Sequence, residues 1–469
     1  MATDQAATVR ALQYSAENQE QFLEELLTFL RIPSVSTQPD HKEDMDRAAE
    51  WLADAMTGVG LENVRVISTE RHPLVYADWL HAGEEAPTVL IYGHYDVQPP
   101  EPLDKWESPP FEPEIRDDHI YARGAADDKG QLYIHVKAVG AWLQTAGRLP
   151  VNVKFIMEGE EESGGQSLAA FIPRETELLA ADVALISDTA MLGRGKPAIV
   201  YGLRGICYMF VDVTGPTRDL HSGAYGGGIN NPLNVLGHII AKLKDERGHV
   251  LIPGFYDEVR PLSDEEREIL SRFPLDEEEW LAETGAPDVW GDPHYTLVER
   301  IGARPTLDVH GIIGGYTGEG AKTVLPSSVH AKISMRLVPD QDPRTIEKLF
   351  RSYVDSITPP SVRVKIQSRG GSPAVLTDYN TPAIQAAMGA LTDVFGEEPV
   401  LMRSGGSIPV VGLFQKHLGV ETVLMGFSLP DARIHSPNER FYLPNFFHGI
   451  EAAVRFYATY ARRQAVERS

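Results

Sequence analysis

Apolar residues over positions 1–200 recur with two different periods. In segments 17–32, 43–59 and 128–146 they are spaced three and four apart, which lines one face of a helix. In the first of these, Phe22, Leu23, Leu26, Leu27 and Leu30 fall on one side. Segments 63–68, 74–78, 88–92, 151–157 and 182–187 are short apolar or alternating runs closed by Gly, Pro or acidic residues, and read as strands. Alternating helix and strand predicts an α/β fold with a mostly parallel sheet and helices on both faces. In such sheets, sites form in the loops beyond the carboxyl ends of the strands.

The texture changes near Arg204. GICYMFVDVTGP alternates like a half-buried antiparallel strand. A helix over 231–244, strands over 305–313 and 328–337, a helix over 343–357 and a strand over 361–367 follow. Beyond the loop QSRGGSPAV the first texture returns, with a helix over 381–395, a strand over 421–425 and a helix over 444–462. The expected organisation is one domain formed by 1–205 and 376–469, with a smaller α+β domain, 206–375, inserted into it. The acidic, Pro-studded stretch 256–292 reads as a solvated helical surface with no chemistry of its own.

A chain of 469 residues exceeds one ordinary core, in keeping with two domains. Its net charge of −24, from 43 basic and 67 acidic residues, argues against nucleic acid and against an anionic membrane surface. It suits a carboxylate-rich site for cations. The single cysteine, Cys207, cannot form an internal disulfide, and its apolar surroundings make it a buried structural thiol. The N-terminal sequence has no basic start followed by an apolar core, and no apolar run reaches ~18 residues, so the cytoplasm is the expected compartment.

The candidate chemistry begins at LIYGHYDVQPP, a strand that runs into Gly93 and a Pro pair. Residues i and i+2 of an extended chain share a face, so His94 and Asp96 stand side by side at a strand mouth. They fit either a turn with a satisfied histidine or a metal ligand with its orienting carboxylate. Three more strand ends carry acids: Asp127 and Asp128 in ARGAADDKGQ, Glu158, Glu160, Glu161 and Glu162 in KFIMEGEEESGGQS, and Asp188 in VALISDTAML. Adjacent carboxylates repel unless cations or donors offset them. His221 lies in DLHSGAYGG and His435 in RIHSPNER. Singly, each has an ordinary reading as a cap or a turn. Together they aim two histidines and several carboxylates at one sheet edge, a nitrogen and oxygen donor set suited to zinc, manganese or cobalt. Two metals sharing a carboxylate can hold a hydroxide and polarise a carbonyl. His119, His135, His310 and His417 lack such context and read as ordinary histidines. Neither a G-x-S-x-G elbow nor a G-x-x-x-x-G-K-[ST] phosphate loop occurs.

In order and spacing, YGHYDVQP, RGAADDKG, EGEEESGG, ISDTAM, DLHSGAYGG, GGSIPV and IHSPNE resemble the co-catalytic zinc peptidase family, which holds aminoacylase, glutamate carboxypeptidase, succinyl-diaminopimelate desuccinylase and the carnosinase-like dipeptidases. The resemblance spans nearly the whole chain. YGHYDVQPP, DLHSGAYGG and GAKTVLPSSVHAKISMRLVP place it nearest the cytosolic nonspecific dipeptidase and carnosinase branch. It implies a metallopeptidase that cleaves dipeptides by a hydroxide held between two metals, zinc first and manganese or cobalt as substitutes. It makes Asp127 the bridging carboxylate, with a cis peptide to Asp128. His94 and Asp188 complete one metal, and Glu162 and His435 the other. Glu161 becomes the general base, Asp96 the residue that holds the His94 ring, and Glu160 falls outside the pair. The inserted domain becomes a lid that forms a homodimer, with His221 reaching the partner's site to stabilise the oxyanion. Arg336 becomes the clamp for the substrate carboxylate, and Thr323 and Ser407 further substrate contacts. A deacylase or desuccinylase of N-acyl amino acids is the alternative on the same scaffold. A non-catalytic metal-binding protein fits less well, because the ligand set keeps its base.

Overall fold

The structure, a computed structural model, describes residues 2–406 and 408–467, with side chains from residue 5 onward. The chain divides into two compact units. One comprises residues 1–201, 377–401 and 409–469, and the other residues 202–376 and 402–408.

In the first unit the strands stand in the order Glu62–Ile67, Leu74–Trp79, Asn152–Glu158, Thr88–His94, Val183–Ile186, Thr422–Leu424 and Ala198–Leu203. The four from Asn152–Glu158 to Thr422–Leu424 are parallel, and antiparallel strands flank them. Register brings the parallel carboxyl ends level: His94 pairs with Glu158, and Tyr92 and Leu424 both pair with Ile186. Every loop that carries a candidate ligand therefore leaves the sheet from one edge.

The helix Lys129–Ala146 is buried over most of its length, with Leu132, Ile134, Val136 and Trp142 in the core. That burial on all sides accounts for its weak one-face pattern. It packs against the sheet and the helices Ala2–Glu17 and Leu443–Glu467. Two expectations are corrected. The N-terminal stretch, whose sequence up to Ser34 reads as one amphipathic helix, forms two, Ala2–Glu17 and Gln19–Leu30. The strand expected over 88–92 continues through Gly93 to His94. Gly93 serves there for space: a Cβ at this position would lie 2.6 Å from Leu132 Cβ and 2.9 Å from Asp128 Oδ2.

The second unit holds a four-stranded antiparallel sheet, in the order Thr306–Gly314, Ser328–Leu337, Gly205–Thr214 and Arg363–Ser372. Strand Gly205–Thr214 alternates strictly between buried and half-buried positions. Cys207, Met209, Val211 and Val213 face a core completed by Ile333, Met335 and the helices Pro232–Leu243 and Pro343–Ile357. Burial raises the Cys207 thiol to about 12, so it is an inert packing residue. The acidic stretch forms the short helices Asp264–Ser271 and Glu277–Thr284, capped by Ser263 and Asp276. Among the described residues, no helix is long and apolar enough to cross a membrane.

Candidate metal centre

At the level edge of the first unit's sheet, the Asp127 carboxylate stands between two histidines. Its Oδ1 is 3.0 Å from His94 Nε2, and its Oδ2 is 3.0 Å from His435 Nε2. Beyond them, Asp188 Oδ2 lies 3.9 Å from His94 Nε2, and Glu162 Oε1 lies 3.2 Å from His435 Nε2. Donor atoms of His94, Asp127 and Asp188 all fall within 4.8 Å of one another, as do those of Asp127, Glu162 and His435. Two three-residue groups thus share one carboxylate. His435 reaches its place through a left-handed backbone (φ 61°), a conformation rare outside glycine and enriched at functional sites.

Other groups fix these donors. Asp96 Oδ1 lies 3.4 Å from His94 Nδ1, and the Asp96 carbonyl 3.1 Å, so the ring's other nitrogen faces Asp127. The same carboxylate accepts from the backbone N–H of Glu161 (3.2 Å) and of Glu162 (3.1 Å). One buried aspartate therefore aims a histidine and sets the turn that presents two glutamates. Asp128, joined to Asp127 by a cis peptide, accepts from the His94 N–H at 3.2 Å.

Glu439, four residues past His435, is a structural anchor that motif reading missed. Its carboxylate accepts from the N–H groups of Gly124 (3.1 Å), Ala126 (3.0 Å) and Asp127 (3.2 Å), and pairs with buried Arg123 at 2.7 Å. Its only sequence signal is its place in IHSPNER. Glu160 lies in neither ligand group. It is fully buried and accepts from the N–H of His72 (3.0 Å) and of Ser167 (3.2 Å) and from the Ser167 hydroxyl. Glu158 accepts from the Tyr92 hydroxyl at 2.6 Å, and burial raises its carboxyl to about 8. The Ser187 hydroxyl donates to the Met425 carbonyl at 2.7 Å and so accepts from His135 Nε2 at 2.8 Å; burial lowers that ring to about 3, a satisfied core histidine.

The charges are crowded. Burial, and next the negative Asp127, raises Asp188 to about 7. Burial raises Glu161 above the usual carboxylate range; His94 opposes this, while Glu162, Asp127 and Asp96 add to it. Burial works against a charge on His94, but hydrogen bonds to Asp127 and Asp96 outweigh it and raise the ring well above 6.5. Hydrogen bonds to Asp127 and Glu162 raise His435 to about 10. Burial alone would raise Asp127, yet His435 and His94 hold it below the usual range. A site open at the exposed His435 and otherwise largely closed, where carboxylates repel and imidazoles protonate to relieve them, fits divalent cations, which supply that positive charge directly. Two imidazoles and three carboxylates are a donor set for zinc, manganese or cobalt.

The remaining expected residues lie in the second unit. His221 is exposed at the end of a two-residue strand paired with Val324–Leu325, and its Nδ1 accepts from Gly223 N–H at 3.0 Å. The Thr323 carbonyl accepts from Ser222 N–H at 3.1 Å, so Thr323 and His221 are neighbours. Arg336 is half-buried on strand Ser328–Leu337, paired with Ile206 and Thr306. Ser407 lies outside the described residues.

Residues 90–461 match the sequence profile of Peptidase family M20/M25/M40. The chain is 31% identical to the Beta-Ala-His dipeptidase of Mus musculus over 96% of this chain and 94% of that one. It is 33% identical to a Cys-Gly metallodipeptidase of Candida albicans over 93% of each. A solved M20 family metallo-carboxypeptidase from Sulfolobus solfataricus superposes with a TM-score of 0.85 at 34% identity, over 94% of this chain and 99% of that one.

Proposed function

The chain belongs to peptidase family M20/M25/M40, and from that membership we propose a metal-dependent dipeptidase that cleaves the amide bond of free dipeptides at the centre built on Asp127. The observation that carries the reading is the sharing of Asp127 by two ligand groups. Relatives at 31% and 33% identity along nearly their whole length are named dipeptidases.

Two divalent cations bound there, zinc first and manganese or cobalt as substitutes, would polarise the scissile carbonyl and acidify a water. His94, Asp127 and Asp188 would hold one, and Asp127, Glu162 and His435 would hold the other. Asp96 keeps the His94 ring and the Glu161–Glu162 turn in place. Glu161 belongs to neither ligand group. Its carboxylate takes a proton from the attacking water and gives it to the amine nitrogen as the amide bond breaks. A carboxyl raised by burial is a stronger base than an ordinary one and suits that relay.

In this reading the first unit is the catalytic domain and the second a lid and dimerisation domain. Arg336 receives the substrate carboxylate, with Thr323 and Ser407 as further contacts. His221, donated to the partner's site, stabilises the oxyanion. The enzyme works in the cytoplasm as a homodimer; sedimentation at twice the chain mass checks the dimer, and a single-chain mass contradicts it.

Hydrolysis by chelator-stripped protein with zinc or manganese restored tests the substrate class. Free dipeptides and N-acetyl or N-succinyl amino acids are offered side by side. Metal-restored cleavage of the dipeptides is expected. Cleavage of only the acylated compounds would assign a deacylase instead.

A further inference from the structure

The second unit contains a cavity of about 800 Å³ that none of the roles above explains in full. It opens on the face of the four-stranded sheet opposite the apolar core. Period-two alternation puts Ile206 and Tyr208 on that face of their strand, and Ser334 and Arg336 on that face of the next; Arg204, one residue ahead of strand Gly205–Thr214, lines the same cavity. The acidic stretch that carried no legible chemistry supplies part of the wall, including Trp280 and Trp290.

Arg336 pairs in register with Ile206, and Leu337 with Gly205. Arg204 therefore stands one residue beyond the end of this ladder, and both arginines line the one cavity, within reach of each other through two long side chains. The Arg204 guanidinium is braced: its Nε donates to the Gly405 carbonyl at 3.1 Å and its Nη1 to the Arg304 carbonyl at 3.4 Å. Burial, and next the charge of Arg336, lowers Arg204 to about 10. Burial lowers Arg336 as well, against the opposing charge of Asp308. Among the wall's acids, Asp308 lies 3.3 Å from Lys244 and Asp292 lies 2.7 Å from His294. Two guanidinium groups held together in a half-buried cavity repel each other, and an anion placed between them relieves that repulsion.

We propose that Arg204 is the second arm of the carboxylate subsite, so that the substrate's terminal carboxylate is held by two guanidinium groups, Arg204 and Arg336, rather than by one. This rests on the dipeptidase reading for the identity of the anion. Arg204 orients the carboxylate and takes no part in proton transfer.

Arg204→Gln and Arg204→Lys are the variants to compare. Gln keeps an N–H donor for the two carbonyls and loses the charge; Lys keeps a charge and loses the fork. For alanyl-leucine, Arg204→Gln should raise KM about tenfold, the loss of one charge-assisted contact. Its KM for alanyl-leucinamide should change less than about twofold, and kcat should hold. Arg204→Lys should fall between. Equal effects on acid and amide, or a lowered melting temperature with an unchanged KM ratio, would reduce Arg204 to a loop brace and overturn the proposal. Calorimetric titration of metal-stripped protein with leucine and with leucinamide judges Arg204 apart from catalysis. If wild type cleaves no dipeptide, the dipeptidase reading fails. Arg204 then stands only if Arg204→Gln weakens leucine binding and spares leucinamide.

Discussion

Glu161 is the residue whose chemistry is most exposed to test. It shares its neighbours' field without belonging to either ligand group. Glu161→Gln should keep both metals and lower kcat by about 10²–10⁴, the usual worth of a general base. Metal analysis beside kinetics checks this, and near-normal turnover with metals bound would remove Glu161 from the mechanism. The histidines make a second prediction. In the metal-free protein, His94 and His435 are raised above 6.5, His435 to about 10. A group raised by folding stabilises fully below its unfolded value and loses that contribution as pH climbs through its folded value. The metal-free protein should therefore lose stability between pH 6.5 and about 10. Metals require neutral imidazoles, so binding should release protons and tighten with pH over the same window. The gap in melting temperature between loaded and stripped protein should widen as pH rises; a constant gap would contradict the ion-paired histidines. At this scale the residues that group around Asp127 were legible as candidates because each sits in a short motif rich in acids, histidine or glycine. Glu439 and Glu160 were not, because their work is hydrogen bonding to backbone distant in sequence. Asp96 was legible as a partner for His94, but its grip on the Glu161–Glu162 turn needed coordinates.

The elements that position the centre are parallel strand ends and the loop ahead of helix Lys129–Ala146. Glu439 holds that loop by three N–H groups and Arg123. Glu439→Gln removes one charge of a fully buried pair, which should cost about 3–5 kcal/mol of stability and weaken metal binding by about 10–100-fold through Asp127. Denaturant unfolding and metal titration check both; unchanged metal affinity would mean that the loop holds Asp127 without Glu439. Long elements with a clear period were readable in the sequence, including the helix Pro343–Ile357 and the strand Ser328–Leu337. The strand Ala198–Leu203 and the helix Pro409–Leu418 were not. The strand is six residues long and the helix ten, with glycine in each, too little to establish a period. The join at Asn18 between the first two helices was also hidden, since no Pro or Gly marks it.

Across the whole molecule, the acids that matter for function are the few gathered at one edge of the first unit's sheet, where burial and mutual repulsion raise Asp188 and Glu161. The chain returns to its first texture near residue 376, and residues 377–401 and 409–469 group with residues 1–201. The cavity beside Arg204 and Arg336 was not legible in the sequence, because part of its wall comes from an acidic stretch that looks like plain solvated helix. The central claim is that dipeptide hydrolysis depends on two cations sharing Asp127. Stepwise return of zinc to chelator-stripped protein, with bound metal and alanyl-leucine hydrolysis followed together, tests it most directly. Hydrolysis should rise to a plateau at about two equivalents per chain, and Asp127→Ala should bind neither tightly. Full activity at one equivalent, or in stripped protein, would contradict it.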